Sequence, residues 1–272
     1  MTNSRQLANA VPCFVAAVLV AATPLARAQD RSEPKTIVSG ESKSAKTRTL
    51  EAGAKLMQSK APMHGFNVYL VGFHPMKEDP DMQMEAHHYC HQVNEDFAQC
   101  VLFDSNTAKA NMNGVEYIIS EKLFNTLPEG ERKYWHPHNG EILSGQLVAP
   151  GIPKVAEKSL MKKKINSYGK TWHVWNTGHD GHPADALPLG DPLLAWSFSR
   201  DGEALPGLVG KRDRKMGVDS AATREQRAEL QALAKPQSGV DDLKGKFARP
   251  TMDIPGVVDK KAAAADGQQP LR

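Results

Sequence analysis

Three short stretches concentrate the side chains that could do chemistry. Glu85-Ala86-His87-His88-Tyr89-Cys90-His91 carries three histidines and a cysteine. Trp135-His136-Pro137-His138-Asn139-Gly140-Glu141 follows, and then Thr171-Trp172-His173-Val174-Trp175. His136 and His138 are two residues apart, the spacing at which a strand aims both side chains the same way. Glu141 comes three residues later. Imidazole and carboxylate together suit Zn²⁺, Mn²⁺ or Fe²⁺. One histidine of the first stretch, His87 or His88, completes the set, with His173 in reserve. Such a centre would activate a water or polarise a substrate oxygen. The competing reading keeps the same histidines as hydrogen-bonded packing residues, because most of them sit beside aromatics or prolines. Glu116, between Val115 and Tyr117 on a strand, needs a partner if it is buried, and a histidine is the expected one. No phosphate-binding loop, nucleophile elbow or GxGxxG occurs, so motifs name no reaction.

The elements around these residues follow from pattern. Residues 84–91 and 97–104 have strand composition and flank the turn residues Asn94-Glu95-Asp96. A hairpin centred on Glu95 places Cys90 opposite Cys100. Directly opposed residues lie about 4.5–5.5 Å apart, a gap that a disulfide spans. Alternation then sends His87, Tyr89 and His91 to one face and His88 and Cys90 to the other. Further strands are expected at 66–73, 114–120, 141–148, 170–176 and 193–199. Helices are expected at 50–59 and 155–168, with a long loop at 177–191. Strands and helices are mixed without regular βαβ alternation, which predicts an α+β fold, one domain with a mainly antiparallel sheet and a few helices.

The ends read differently. Arg5, the apolar run 11–22 and Ala26-Arg27-Ala28 form a secretory signal over 1–28, cut after Ala28. Residues 29–49 read as a flexible linker, 50–216 as the domain, and 217–272 as a largely disordered tail with one short helix at 221–234. No other apolar stretch reaches the ~18 residues of a membrane span, so the mature chain has none. The protein is therefore expected to be exported, periplasmic or secreted, where Cys90 and Cys100 form a disulfide by default. A net charge of +3, with no basic block interleaved with aromatics, argues against nucleic-acid binding. Lys162-Lys163-Lys164 reads as the solvated face of a helix.

Several blocks, in order, resemble the oil body-associated protein family of plant seeds: Glu85-Ala86-His87-His88-Tyr89-Cys90, Gln99-Cys100, Gly114-Val115-Glu116-Tyr117-Ile118-Ile119-Ser120, Leu127-Pro128, Tyr134-Trp135-His136-x-His138 and Gly169-Lys170-Thr171-Trp172-His173. Ala186-Leu187-Pro188-Leu189-Gly190-x-Pro192 adds another. Fungi and bacteria carry relatives as a domain of unknown function, and this chain is expected to be a bacterial member. The HxH…E order is also similar to that of cupin barrels, although the step from His138 to Glu141 is shorter. The family resemblance implies attachment to lipid droplets and brings no established reaction with it. This chain departs from it by its export signal and its polar tail. It also lacks a long hydrophobic hairpin, so any lipid contact would be peripheral. The expectation is an exported domain that binds a ligand or lipid surface without catalysis. The rival is a metal-dependent enzyme built on His136, His138, Glu141 and a hairpin histidine, and a third reading is a purely structural domain.

Overall fold

Residues 32–179 and 182–261 are described in the computed structural model; the expected signal at 1–28 and the last residues of the tail lie outside them. The first helix, α1 (Ala45–Met57), starts earlier than the pattern suggested. Ser44 caps it by accepting from Thr47 N. No residue of α1 is buried, whereas the segment before it is tied to distant parts of the chain, as by Ser32 N donating to Asn106 Oδ1 at 2.9 Å and Ser39 N donating to Ala186 O.

The sheet begins with β1 (Val68–Pro75), β2 (Gln83–Asn94), β3 (Phe97–Phe103) and β4 (Met112–Ile119), paired antiparallel in sequence order. β-Branched and aromatic residues make up half of β1 and β4, whereas β2 has few of them and is a strand through its pairing on both sides. The hairpin has the expected register: Cys90 pairs with Cys100, their Cα atoms are 4.0 Å apart, and their sulfurs are bonded. Short helices α2 (Glu121–Phe124) and α3 (Glu129–Arg132) lead to β5 (His136–Pro137) and α4 (Asn139–Leu143). Helix α5 (Lys154–Lys164) carries the three lysines in its last turn. Next, β6 (Tyr168–His173) pairs with β4 on one side and with both β5 and β7 (Leu193–Ala195) on the other. The sheet then curls until its ends meet. Met76 bridges Ala195, and Trp196 N donates to Pro75 O at 2.8 Å. The fold is thus α+β with a curled antiparallel sheet, as the order of elements implied.

Two expectations are corrected. Residues 141–148 form no strand: Ile142 N donates to His138 O, and α4 ends in a turn at Gly145 with φ of 78°. A short apolar run cannot distinguish a buried helix end from a strand by periodicity alone. The chain past Met216 is not a loose tail as far as Lys261. After α6 (Leu208–Met216), which follows the short β8 (Arg200–Asp201), come α7 (Ser220–Gln226), a 3₁₀ turn at Ala228–Leu233 and β9 (Met252–Asp253). Sparse apolar anchors, Leu230, Val240, Leu243, Phe247, Ile254 and Val257, are all buried. Composition alone misses them because they are spread thinly through polar sequence.

Two fully buried arginines fasten this part. Arg227 donates to Ile142 O and Leu147 O at 3.0 and 2.8 Å, and Arg212 donates to Gln146 O at 2.9 Å. Gln237 accepts from Asn139 N and donates to Ser167 O, which lays the C-terminal segment across β5 and α4.

The disulfide closes a loop of ten residues' separation. Chain-entropy loss from such a loop contributes about 2.5–3 kcal/mol. Reduction, or Cys90→Ser with Cys100→Ser, should lower the unfolding free energy by that amount, read as an earlier urea midpoint with an equal or steeper slope.

Candidate metal centre

The register assigns side chains to two faces. On the inner face of the curled sheet, Leu70, Gly72 and His74 of β1 lie beside Ala86, His88 and Cys90 of β2. Cys100 of β3 pairs with Glu116 of β4, which pairs with Thr171 of β6, flanked by Gly169 and His173. Small residues at Gly72, Ala86 and Gly169 leave room for rings. His136 enters from β5 opposite Gly169, and His138 follows from the turn into α4.

Glu116 is the centre of this interior and is 2 % exposed. His88 Nε2 lies 2.9 Å from Glu116 Oε2, His138 Nε2 3.2 Å from Oε1, and His136 Nε2 3.5 Å from Oε1. His74 Nε2 is 3.3 Å from His88 Nε2. One ligand atom each from His74, Glu116 and His136 lies within 4.8 Å of the other two. Adjacent ligand atoms of a tetrahedral ion with bonds near 2.1 Å are about 3.4 Å apart. The observed separations bracket that value.

Outer partners decide which nitrogens carry hydrogen. Ser167 Oγ donates to Lys164 O. It therefore accepts from His138 Nδ1 at 2.8 Å, leaving His138 Nε2 as a bare lone pair aimed at Glu116. His173 Nδ1 donates to Asn113 O at 3.2 Å. The β3–β4 register shift skips Asn113. His173 Nε2 then accepts from His74 Nδ1 at 3.0 Å, which leaves His74 Nε2 bare as well. Such outer contacts fix ligand tautomers in metal sites. Among the described residues, neither ring nitrogen of His136, nor His88 Nδ1, meets a hydrogen-bond partner.

Electrostatics agree with this count. Burial opposes ionisation of Glu116, yet His88 and the other imidazoles hold its carboxyl well below the usual carboxylate range. Burial lowers His138 and His173 to about 4. It also lowers His74, helped by the neighbouring His88. Burial and the charge of Glu116 push the Glu141 carboxyl well above its ordinary value. A lone pair on His138 and a carboxylate oxygen at 3.2 Å repel each other unless a proton or a metal cation lies between them. Every ion-pair partner of Glu116 among the described residues is a histidine.

The residues singled out in the sequence separate as follows. His88, His136 and His138 converge on Glu116, and Glu141 stands behind them, 4.0 Å from His138 Nε2. His173 is one ring further out and holds His74. His87 faces the opposite side of the sheet, bonded to Glu85, Tyr69 and Ser32, as strand alternation requires. Sequence marks Glu116 only as a carboxylate in need of a histidine. His74 carried no signal as a ligand beside Pro75; its place in the cluster depends on the β1–β2 pairing.

A Cβ added at Gly169 would overlap Glu116 Oε1 and lie 2.6 Å from both His136 Nε2 and His138 Nε2. Gly169→Ala should cost about 1–3 kcal/mol of stability by overpacking and abolish any metal uptake. Gly130→Ala, with nothing within 4 Å, is the neutral control in the same urea titration.

Residues 60–231 match the family model described as a protein of unknown function (DUF1264). The chain is 40% identical to oil body-associated protein 2B of Arabidopsis thaliana, over 66% of this chain and 72% of that one. It is 38% identical to oil body-associated protein 1A of Zea mays, over 72% and 80%. With oil body-associated protein 1B of Arabidopsis thaliana it shares 35% identity over 76% and 83%. No solved structure matches the chain.

Proposed function

Since the chain belongs to the DUF1264 family, whose relatives above are named oil body-associated proteins, and the family's description assigns no function, we propose from the site that this domain is a metal-dependent enzyme. The observation that carries the reading is the convergence of His88, His136 and His138 Nε2 on the buried carboxylate of Glu116, with His138 held from behind by Ser167. His74, His88, Glu116, His136 and His138 would hold a divalent ion of the Zn²⁺, Mn²⁺ or Fe²⁺ type. A donor set of imidazole and carboxylate, without thiolate, has the composition of catalytic rather than structural zinc sites. When bound, the ion supplies Lewis-acid polarisation of a substrate oxygen. The chain's own part is orientation: Asn113 and Ser167 set the tautomers, the curled sheet excludes water, and Glu141 stands beside the centre as a second carboxyl.

Metal analysis of the full chain, purified without a His tag, tests this reading. The wild type should hold about one equivalent per chain, and Glu116→Gln or His136→Ala with His138→Ala should lose it. A wild type free of metal after reconstitution with each of the three ions would return the histidines to structural duty.

A second reading, peripheral contact with a lipid surface, is favoured by the outer face of the sheet. Met63, Phe66, Tyr89, Val101 and Phe103 line an apolar groove of about 260 Å³ there. Relatives named for oil bodies support a neutral lipid as its occupant. No helix among the described residues is long and apolar enough to cross a membrane, so the contact would be superficial. Triacylglycerol droplets coated with phosphatidylcholine should carry the wild type on flotation, and Met63→Glu with Val101→Glu should remain in the aqueous layer. Equal flotation of both would remove this reading. We propose that the protein works outside the cytoplasm. The cleavage pattern at Ala26-Arg27-Ala28 supports export, and the Cys90–Cys100 bridge suits an oxidising compartment.

A further inference from the structure

A cavity of about 250 Å³ opens at the end of the curled sheet next to the histidine cluster. His173 forms part of its wall, and His173 in turn holds His74 at 3.0 Å. The occupant of this cavity would therefore sit just outside the chain of imidazoles that leads to Glu116.

The lining has a definite chemistry. Met82, Met84, Trp175 and Leu193 supply apolar surface. The neutral polar groups are already committed. Trp175 Nε1 donates to Asp185 O at 3.0 Å, so the indole offers its face. Asn176 Nδ2 donates to Pro183 O, and its Oδ1 accepts from Gly178 N. Both nitrogens of His173 are used by Asn113 and His74. The formally charged residues of the lining are Asp185 and Asp191, with no lysine or arginine among the lining residues. An anionic ligand would meet like charge there. A cation gains from two carboxylates and from the face of an indole. The apolar walls demand a hydrocarbon body, and about 30 Å³ per non-hydrogen atom, the share of liquid water, leaves room for roughly eight such atoms.

We propose that this cavity binds a small organic monocation with an apolar body, of the alkylammonium type. That the occupant is also the substrate of the neighbouring centre rests on the metal reading above; that the cavity binds it does not.

Hexylammonium, hexanol and hexanoate, titrated into the full chain by calorimetry, make the test. Hexylammonium should bind saturably and about tenfold more tightly than hexanol, and hexanoate should give no saturable heat. Asp185→Asn with Asp191→Asn should reduce the ammonium-over-alcohol preference to within about twofold. Leu193, at 39% exposure, tolerates a change without disturbing the core, and Leu193→Arg should weaken hexylammonium by tenfold or more, with about a unit of opposing charge placed at the mouth. Circular dichroism confirms that each variant is folded. Equal binding of all three probes, no saturable binding, or a preference that survives the double substitution would overturn the proposal. Repeating the titration on chelator-treated protein separates the two ideas. Undiminished hexylammonium binding to a chain that never takes up metal upholds the cavity and removes the centre. A chain that holds metal but ignores hexylammonium does the reverse.

Discussion

A single carboxylate in the middle of a curled sheet sets the terms for everything near it. Glu116 sits on a central strand, facing inward at 2 % exposure. An ionised group in such a place costs several kcal/mol unless it is compensated by charge and hydrogen bonds. No lysine or arginine pairs with it among the described residues; its partners are three imidazoles from two segments, β2 and residues 136–138. Those rings are bulky, so the same face must be built from glycine and alanine where they converge. Gly169 shows how close the fit is, because one added methyl would overlap the carboxylate. The pattern of small residues along β1, β2 and β6 is therefore a consequence of what β4 carries.

Holding imidazoles in one orientation requires a second layer, and much of the fold supplies it. Ser167 holds His138 and is itself bonded to the end of α5. The bulge at Asn113 turns a backbone carbonyl toward His173, which then orients His74. Behind α4, Arg227 and Arg212 anchor the segment that follows Glu141 by donating to its carbonyls. Gln237, far along the chain, bridges Asn139 and Ser167. The C-terminal segment is thus part of the apparatus that keeps the cluster rigid.

The two faces of the sheet have opposite characters. The inner one is polar where the histidines gather and apolar around the Cys90–Cys100 bridge. The outer one carries Tyr89, Val101 and Phe103 beside Phe66 and Met63. Strand alternation lets one sheet bear both without compromise. A metal-centred activity and a peripheral contact with lipid therefore use different atoms and can be separated by substitution. The names of the relatives speak to the outer face, and the chemistry of the side chains speaks to the inner one.

What the sequence determined by itself was local. The hairpin, the opposition of Cys90 and Cys100, the split of His87 from His88, and the antiparallel character of the sheet all follow from period-two alternation around a short turn. The pairing of His136 with His138 was visible for the same reason, because neighbours in sequence stay neighbours in space. The tertiary structure decided the rest. His74 and Glu116 come from strands that are not paired with each other, and no local pattern reports a register across several strands. The helical form of residues 139–143 and the order of the chain as far as Lys261 also escaped the sequence. Each depends on burial against distant partners, Arg227 on Ile142 and Gln237 on Asn139 among them. Long-range pairing places one carboxylate among four rings, and that convergence makes ordinary histidines into a candidate centre.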